Sequence, residues 1–213
     1  MYKKLLLTLT CSSLIFGLAA CGSNEQTNNS VQTKEKEQAP QDTTKEKQKE
    51  SKTESAKGNR SNPINFNETA TVNDVIFNSE DGKFEKFKAK VELSILEVIR
   101  GDQAFEILKK ENQFNEAAPE GKEWVLVKIK GKVTDAETQD HEYDLFGSSF
   151  KLVSNDGHVY NNDQYAVTPN ELQQKLYKGA EGEGYISQLV NTGDDFKIQY
   201  ETHESKKVFF NSK

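Results

Sequence analysis

Apolar residues are distributed unevenly along this 213-residue chain, and this distribution limits which part of it can fold. Residues 22–62 contain only three of them, Val31, Ala39 and Ala56, and no aromatic residue. Eighteen of the twenty aromatic residues lie between Phe66 and Phe210. The foldable part is therefore about 150 residues long, which is enough for one core and too short for a multidomain enzyme or a polytopic membrane protein.

The first twenty residues have the pattern of an export signal. Lys3 and Lys4 precede an apolar stretch, Leu5–Ala20, that is short for a bilayer span. The stretch closes with Leu-Ala-Ala-Cys, which resembles the lipobox of bacterial lipoproteins. We therefore predict a lipoprotein signal peptide over residues 1–20, cleavage between Ala20 and Cys21, and a diacylglyceryl anchor on Cys21. The alternative is a chance cysteine at the end of an ordinary signal or of a buried anchor helix.

The other cysteine, Cys11, would leave with the signal peptide. The mature chain would then contain neither a free thiol nor a disulfide. A domain of this size can fold without a disulfide because its core is large enough.

Residues 21–62 are predicted to be a lipidated cysteine followed by a disordered tether. From Gly22 onward this segment carries eight basic and seven acidic residues, and it has too little apolar surface to offset the entropy of ordering. As a flexible coil it would span about 35 Å. Its lysines could instead bind a wall polymer, but the near-zero net charge argues against that. We expect a chain starting near Asn62 to fold like the longer one.

Residues 63–213 are predicted to be the folded domain. They contain 18 basic and 27 acidic residues, a net charge of -9. Such a surface repels nucleic acid and anionic headgroups, so we predict no nucleic-acid partner and membrane contact only through Cys21.

Alternating hydrophobicity predicts strands. One runs from Thr69 to Phe77, and after a turn at Glu80–Lys83 a second places apolar residues on a single face: Phe87, Ala89, Val91, Leu93 and Ile95. Beyond Ile95 the pattern becomes apolar on both faces, with Leu96, Val98 and Ile99, so something must cover the second face. In the third strand, Val125, Val127 and Ile129 alternate with Trp124 and Leu126.

A short helix is predicted between these strands, from an N-cap at Asp102 to about Phe114. Its apolar residues recur at helical spacing, and we expect Phe105 and Leu108 to cover Trp124 and Leu126. The competing interpretation makes Trp124 an exposed ligand-stacking residue and the helix a mobile lid.

The remaining sequence continues the same way. Strands are predicted over Phe150–Val153, Tyr185–Val190, Phe196–Tyr200 and Val208–Phe210, while Pro169–Tyr177 is ambiguous and could hold one helical turn. About seven short strands at this spacing predict an all-β, immunoglobulin-like antiparallel sandwich with one short helix.

Several of these segments resemble a family of Gram-positive lipoproteins that contain a domain of unknown function. The most specific are VIRGDQAFEILKKENQFN and PEGKEWVLVKIK, followed by FKLVSNDGHVY and LYKGAEGEGYI. The resemblance spans about Asn62 to Tyr200 and departs from the family in two loops, Thr134–Glu137 and Lys178–Glu181. It implies an immunoglobulin-like sandwich, of the fold group of the mycobacterial immunoprotective secreted antigen, and an envelope location. It supplies no catalytic residues.

Motifs that could carry chemistry are incomplete. His141–Asp144 begins like a zinc-protease motif, but Leu145 stands where the second histidine belongs; a zinc site would need His158 and His203 to converge with it. Other fragments suggest phosphate, calcium or a nucleophilic serine and lack the required spacing: Gly179–Gly184, Glu80–Asp81, Asn155–Gly157, Asn161–Asp163, Asp194–Asp195 and Gly147–Phe150. We predict no cofactor and no catalytic site.

Three classes of function remain. The first is a membrane-anchored module that binds an envelope protein or peptide through loops or an open sheet edge. The second is an accessory lipoprotein that captures a solute or metal. The third is a small envelope enzyme with an atypical site. Of these, the sequence favours the binding module.

Overall fold

The computed structural model describes residues 57–79, 82–161 and 164–213. The predicted signal peptide, Cys21 and most of the tether lie outside these residues. The described residues form nine strands, one α-helix and a 3-10 turn at Gly147–Ser149. The elements are β1 Thr69–Asn78, β2 Glu85–Arg100, α1 Gly101–Glu111, β3 Lys122–Ala136, β4 Tyr143–Phe146, β5 Phe150–Ser154, β6 Gln173–Leu176, β7 Glu181–Asn191, β8 Phe196–Glu201 and β9 Lys207–Asn211.

All paired strands are antiparallel. They form a four-stranded sheet in the order β1-β2-β3-β7, a three-stranded sheet β5-β8-β9 and a two-stranded sheet β4-β6. One hydrophobic core joins residues from all three sheets, among them Leu93, Ile129, Leu145, Ile198 and Phe210. The predicted all-β antiparallel sandwich with one short helix is confirmed.

The alternating pattern of β2 changes face at a bulge. Ile95 pairs with Ile129, and Glu97 pairs with Lys128, so Leu96 has no partner in the register. An unpaired extra residue shifts every following side chain to the other face. Val98 therefore packs against the main core, Ile99 faces outward beneath the helix, and Leu96 is solvent-exposed. The expected cover of the second face is therefore present over Ile99, whereas Leu96 itself stays exposed.

Helix α1 lies on the outer face of the four-stranded sheet. Ala104 and Leu108 are fully buried against Trp124 and Leu126, and Phe105 packs half-buried at the edge of the same cluster. The indole Nε1 of Trp124 donates to the Glu116 carbonyl at 2.9 Å. The predicted cluster is thus confirmed, and Trp124 is not the exposed ligand-stacking residue of the competing interpretation.

The start of the helix differs from the prediction. Strand β2 runs directly into α1, so Arg100 occupies the N-cap position and Asp102 lies in the first turn. The direct join requires Gly101 to adopt φ +62°, a conformation that glycine adopts without strain. In the first turn, the acidic side chain of Asp102 still interacts favourably with the helix dipole.

Two segments of the second half also differ. The ambiguous stretch Pro169–Tyr177 contains strand β6 and no helical turn. The strand predicted to begin at Tyr185 is longer than expected, because β7 begins at Glu181 and includes Gly184. A Cβ at Gly184 would lie 2.7 Å from the Leu172 Cα, so glycine there allows the preceding segment to cross closely.

Candidate functional site

Strand β1 is an edge of the four-stranded sheet, paired with β2 alone. The hydrogen bonds of Val75 show in which direction the backbone groups of β1 point. The Val75 N–H donates to Asp74 Oδ1 at 2.9 Å, and its carbonyl accepts from Nδ1 of His203 at 2.7 Å. Both groups therefore face away from β2. Because antiparallel pairing alternates residue by residue, Thr71 and Asn73 point their N–H and C=O groups in that same direction.

These outward groups of Thr71 and Asn73 have no hydrogen-bond partner within the described part of the chain. Two other sheet edges are covered, those of β9 and β7. On β9, the Phe209 N–H donates to the Gly58 carbonyl at 2.8 Å, and the Ile64 N–H donates to the Phe209 carbonyl at 2.8 Å. On β7, the Tyr185 N–H donates to the Asn170 carbonyl at 2.9 Å. Unlike these two edges, the edge of β1 has no covering segment among the described residues.

A groove runs along the open edge. Its volume is about 770 Å³. One wall is Thr69–Asn73 of β1, and the other consists of Thr202 and residues 206–208 of the β8–β9 hairpin. A second hollow of about 400 Å³ adjoins it, because Asn73 and Lys206 line both. We call the larger hollow the edge groove.

The edge groove is locally basic. Its lining contains Lys57, Lys206 and Lys207 against a single acidic residue, Glu68. Lys57 lies 2.7 Å from Glu68, and this hydrogen bond lowers the pKa of Glu68. Lys207 is exposed and forms no ion pair with any residue that the structure describes. This contrasts with the net charge of -9 over residues 63–213.

The open stretch of β1 ends at a buried carboxylate. The Asp74 side chain is fully buried and accepts four hydrogen bonds. Its Oδ2 accepts from the hydroxyls of Tyr143 at 2.6 Å and Tyr200 at 2.9 Å, and its Oδ1 accepts from the N–H groups of His203 at 3.0 Å and Val75 at 2.9 Å. These contacts join β1, β4, β8 and the β8–β9 hairpin. They also occupy both outward groups of Val75, so the free edge stops at Asn73.

The two tyrosines of this network remain protonated donors. Burial first, and then the neighbouring Tyr200 and Asp74, raise the pKa of Tyr143 far above its usual range. Burial followed by the Asp74 charge raises the pKa of Tyr200 in the same direction. Four donors occupy the acceptor sites of both carboxylate oxygens, so Asp74 has no acceptor site left for another proton donor. The arrangement therefore fixes the end of β1 and supplies no general base.

The incomplete motifs named in the sequence do not come together within the described residues. In the described residues, no group of three or more His, Cys, Asp or Glu side chains could hold a metal ion. His141 stacks on Phe87, His158 lies edge-on to Tyr160, and His203 contacts Tyr143, so the three histidines do not meet. Ser148 and Ser149 share a small hollow with His203 without a hydrogen bond to its ring.

The remaining candidates occupy turns or lie outside the described residues. Asp156 bonds Ser154 and the His158 N–H within its own hairpin, and Asp194 accepts from the Tyr160 hydroxyl. Glu80, Asp81, Asn162 and Asp163 are outside the described part of the chain, as are Ala20 and Cys21.

The open edge was not identified from the sequence. Strand β1 was predicted with nearly its observed bounds, but a single sequence does not state which strands are neighbours in a sheet. One signal was present. The outward residues Thr69, Thr71 and Asn73 are uncharged and include no proline, whereas exposed edges commonly carry lysine or proline against unwanted pairing.

Comparisons with known proteins do not assign the chain to a family. No protein-family model matches it, and no curated protein matches it. Two solved structures from Bacillus subtilis are similar in part. One, the putative lipoprotein YcdA, is 13% identical with a TM-score of 0.40, over 56% of this chain and 35% of its own. The other, the YjhA protein, is 8% identical with a TM-score of 0.41, over 70% of this chain and 99% of its own.

Proposed function

We propose that this chain is an extracytoplasmic lipoprotein that captures an extended polypeptide segment by adding it as a strand to the edge of β1. The observation that carries the proposal is the unpartnered N–H and C=O groups of Thr71 and Asn73 beside the edge groove. An open edge is a template for another chain, and domains that bind peptides by strand addition use such an edge. The bound partner would be an envelope protein or peptide.

The length of the free edge sets the length of the captured segment. Residues 69–73 span about 17 Å at the usual rise of a strand. An added strand would pair with the outward groups of Thr71 and Asn73 and would stop at Val75, where Asp74 and His203 already hold the backbone. Main-chain hydrogen bonds would provide affinity, and side-chain contacts in the groove would provide selectivity.

The edge is tested by a proline substitution that spares the sheet. The Thr71 N–H points away from β2, so Thr71→Pro removes no ladder hydrogen bond but blocks an incoming strand. Thr71→Val is the matched control, because it retains the backbone N–H. With a photo-crosslinking amino acid at Asn73 in intact cells, we expect crosslinks to an envelope polypeptide in the parent chain and in Thr71→Val, and their loss in Thr71→Pro. Crosslinks that persist in the proline variant at unchanged thermal stability would overturn the proposal.

The anchor is a separate part of the proposal. Two acyl chains attach a protein durably, whereas one does so only marginally. No helix among residues 57–79, 82–161 and 164–213 is long and apolar enough to cross a bilayer. We expect Cys21→Ala to release the protein into the medium or to leave it unprocessed. Membrane retention of correctly cleaved Cys21→Ala protein would exclude lipidation as the anchor.

A further inference from the structure

We infer that the segment captured at β1 is acidic and has apolar side chains at alternate positions. This inference rests on the proposed strand addition and names the class of segment that the edge groove accepts.

The apolar requirement follows from the floor of the groove. Successive side chains of a strand point to opposite faces of its sheet. The inward side chains of an added strand would therefore continue the inner face of β1, which carries the buried Ala70 and Val72. The groove is also lined there by the buried Ile64 and the half-buried Val208, both packed on the main core. Apolar side chains at alternate positions would cover these groups.

The acidic requirement follows from the lysines across the groove. Lys206 and Lys207 lie on the wall that faces β1, and Lys57 also lines the groove. Lys57 is paired with Glu68, and Lys206 lies 3.1 Å from Glu204, which leaves Lys207 to be matched by a ligand. The basic lining opposes the overall acidity of the domain, so it selects a partner that most of the surface would repel. The acidic side chains of an added strand would alternate with the inward apolar ones and so point to the outer face, and they would interact with the lysines by long-range attraction and not by direct pairing. Complementary charge of this kind sets selectivity and the rate of association.

Three synthetic peptides test the inference. Each has seven residues with valine at alternate positions, and the remaining positions are glutamate, serine or lysine. Binding to the lipidated mature protein in a zwitterionic detergent is measured by fluorescence anisotropy at low and at moderate salt. We expect the glutamate peptide to bind best, the serine peptide about fivefold more weakly and the lysine peptide weakest, with salt reducing the difference.

Two lysine substitutions locate the charge effect. Lys206→Gln with Lys207→Gln should weaken the glutamate peptide about fivefold and leave the serine peptide unchanged. Lys110→Gln on helix α1 is the matched control, since this exposed lysine does not line the groove, and it should change neither peptide. A double variant that binds all three peptides as the parent does would overturn the inference.

The outcomes separate the inference from the proposed function. If the three peptides bind equally and Thr71→Pro abolishes all binding, strand addition stands and the acidic preference is wrong. If no peptide binds, or if the proline variant binds them unchanged, strand addition at β1 is itself wrong. Tighter binding of the lysine peptide would mean that the net charge of the domain outweighs the lining of the groove, and would also overturn the inference.

Discussion

At the scale of single residues, Asp74 shows how a buried charge can be retained in a sandwich core. A lone ionised carboxylate would be expensive to bury, but four donors from three strands and a hairpin surround this one. Removing any of these donors leaves a buried acceptor incompletely satisfied, and removing the carboxylate leaves four donors facing one another. Asp74 thus connects the end of the open edge to the stability of the fold.

We predict that Asp74→Asn lowers the free energy of unfolding by about 3 kcal/mol, since the new amide group presents hydrogens to donors. Tyr143→Phe and Tyr200→Phe should each lower it by about 1–2 kcal/mol, because each removes one donor to the same oxygen. Urea denaturation measures all three. Tyr165→Phe, at a tyrosine that is 69% exposed, is the control and should change stability by less than about 0.5 kcal/mol. Equal effects at Tyr143 and Tyr165 would contradict the network.

The same tyrosines predict that the stability of the fold declines at alkaline pH. Their pKa values are raised in the folded state, and burial followed by the bond to Asp194 raises the pKa of Tyr160 to about 12. In the unfolded chain a tyrosine loses its proton near pH 10. The stability that these groups contribute is therefore complete below about pH 10 and declines as the pH rises toward the folded values. Phenolate absorbance should show Tyr143 and Tyr200 titrating only as the protein unfolds. An early titration, before unfolding, that shows one phenolate fewer in the Tyr143→Phe protein than in the parent would contradict this.

At the scale of elements, the helix stabilises the outer face of the sheet. Leu108 and Trp124 are buried in one cluster, whereas Phe105 is only half-buried at its edge. We predict losses of about 3–5 kcal/mol for Leu108→Ala and Trp124→Ala, and a smaller loss of about 1–2 kcal/mol for Phe105→Ala. Leu108 and Trp124 should be coupled in a double-mutant cycle. Phe114→Ala is the control, because the Phe114 side chain is 79% exposed and lies after the end of the helix. Losses below about 0.5 kcal/mol for both buried residues would refute the cluster.

The elements that could be predicted from the sequence are those with long, regular patterns. The alternation of Ala89, Val91, Leu93 and Ile95 identified β2 and its inner face, and the spacing of Ala104 and Leu108 identified the helix and what it covers. Strands β4 and β6 were missed because each has four residues, too few for a period to show. The bulge at Leu96 was missed because a strand with one inserted residue and a strand that is apolar on both faces have the same local sequence pattern. The candidate site depends on strand order, which sequence periodicity does not contain.

At the scale of the whole molecule, the segment before β1 is part of the sandwich. Gly58 is buried, and its carbonyl accepts from the Phe209 N–H at 2.8 Å. Arg60 donates to the Asn155 carbonyl at 2.7 Å. The Gly58 bond covers part of the β9 edge, and the Arg60 bond ties the segment to the turn that follows β5. A chain cut at Asn62 would lose them, so the earlier expectation that residues 22–62 are all dispensable for folding can be made more specific.

We predict that a chain comprising residues 57–213 melts within a few degrees of a chain comprising residues 22–213, because residues 22–56 contain only three apolar side chains, Val31, Ala39 and Ala56. A chain comprising residues 63–213 should be less stable by about 2 kcal/mol, since each lost hydrogen bond contributes about 1 kcal/mol. For a domain of this size that is a fall in Tm of roughly 4–8 °C. Arg60→Ala in the longer chain separates the side-chain bond from the backbone ones and should account for about half of the loss. Thermal unfolding followed by circular dichroism measures each value. Equal melting of the two shortened chains would show that the Gly58 and Arg60 bonds add nothing to stability in solution.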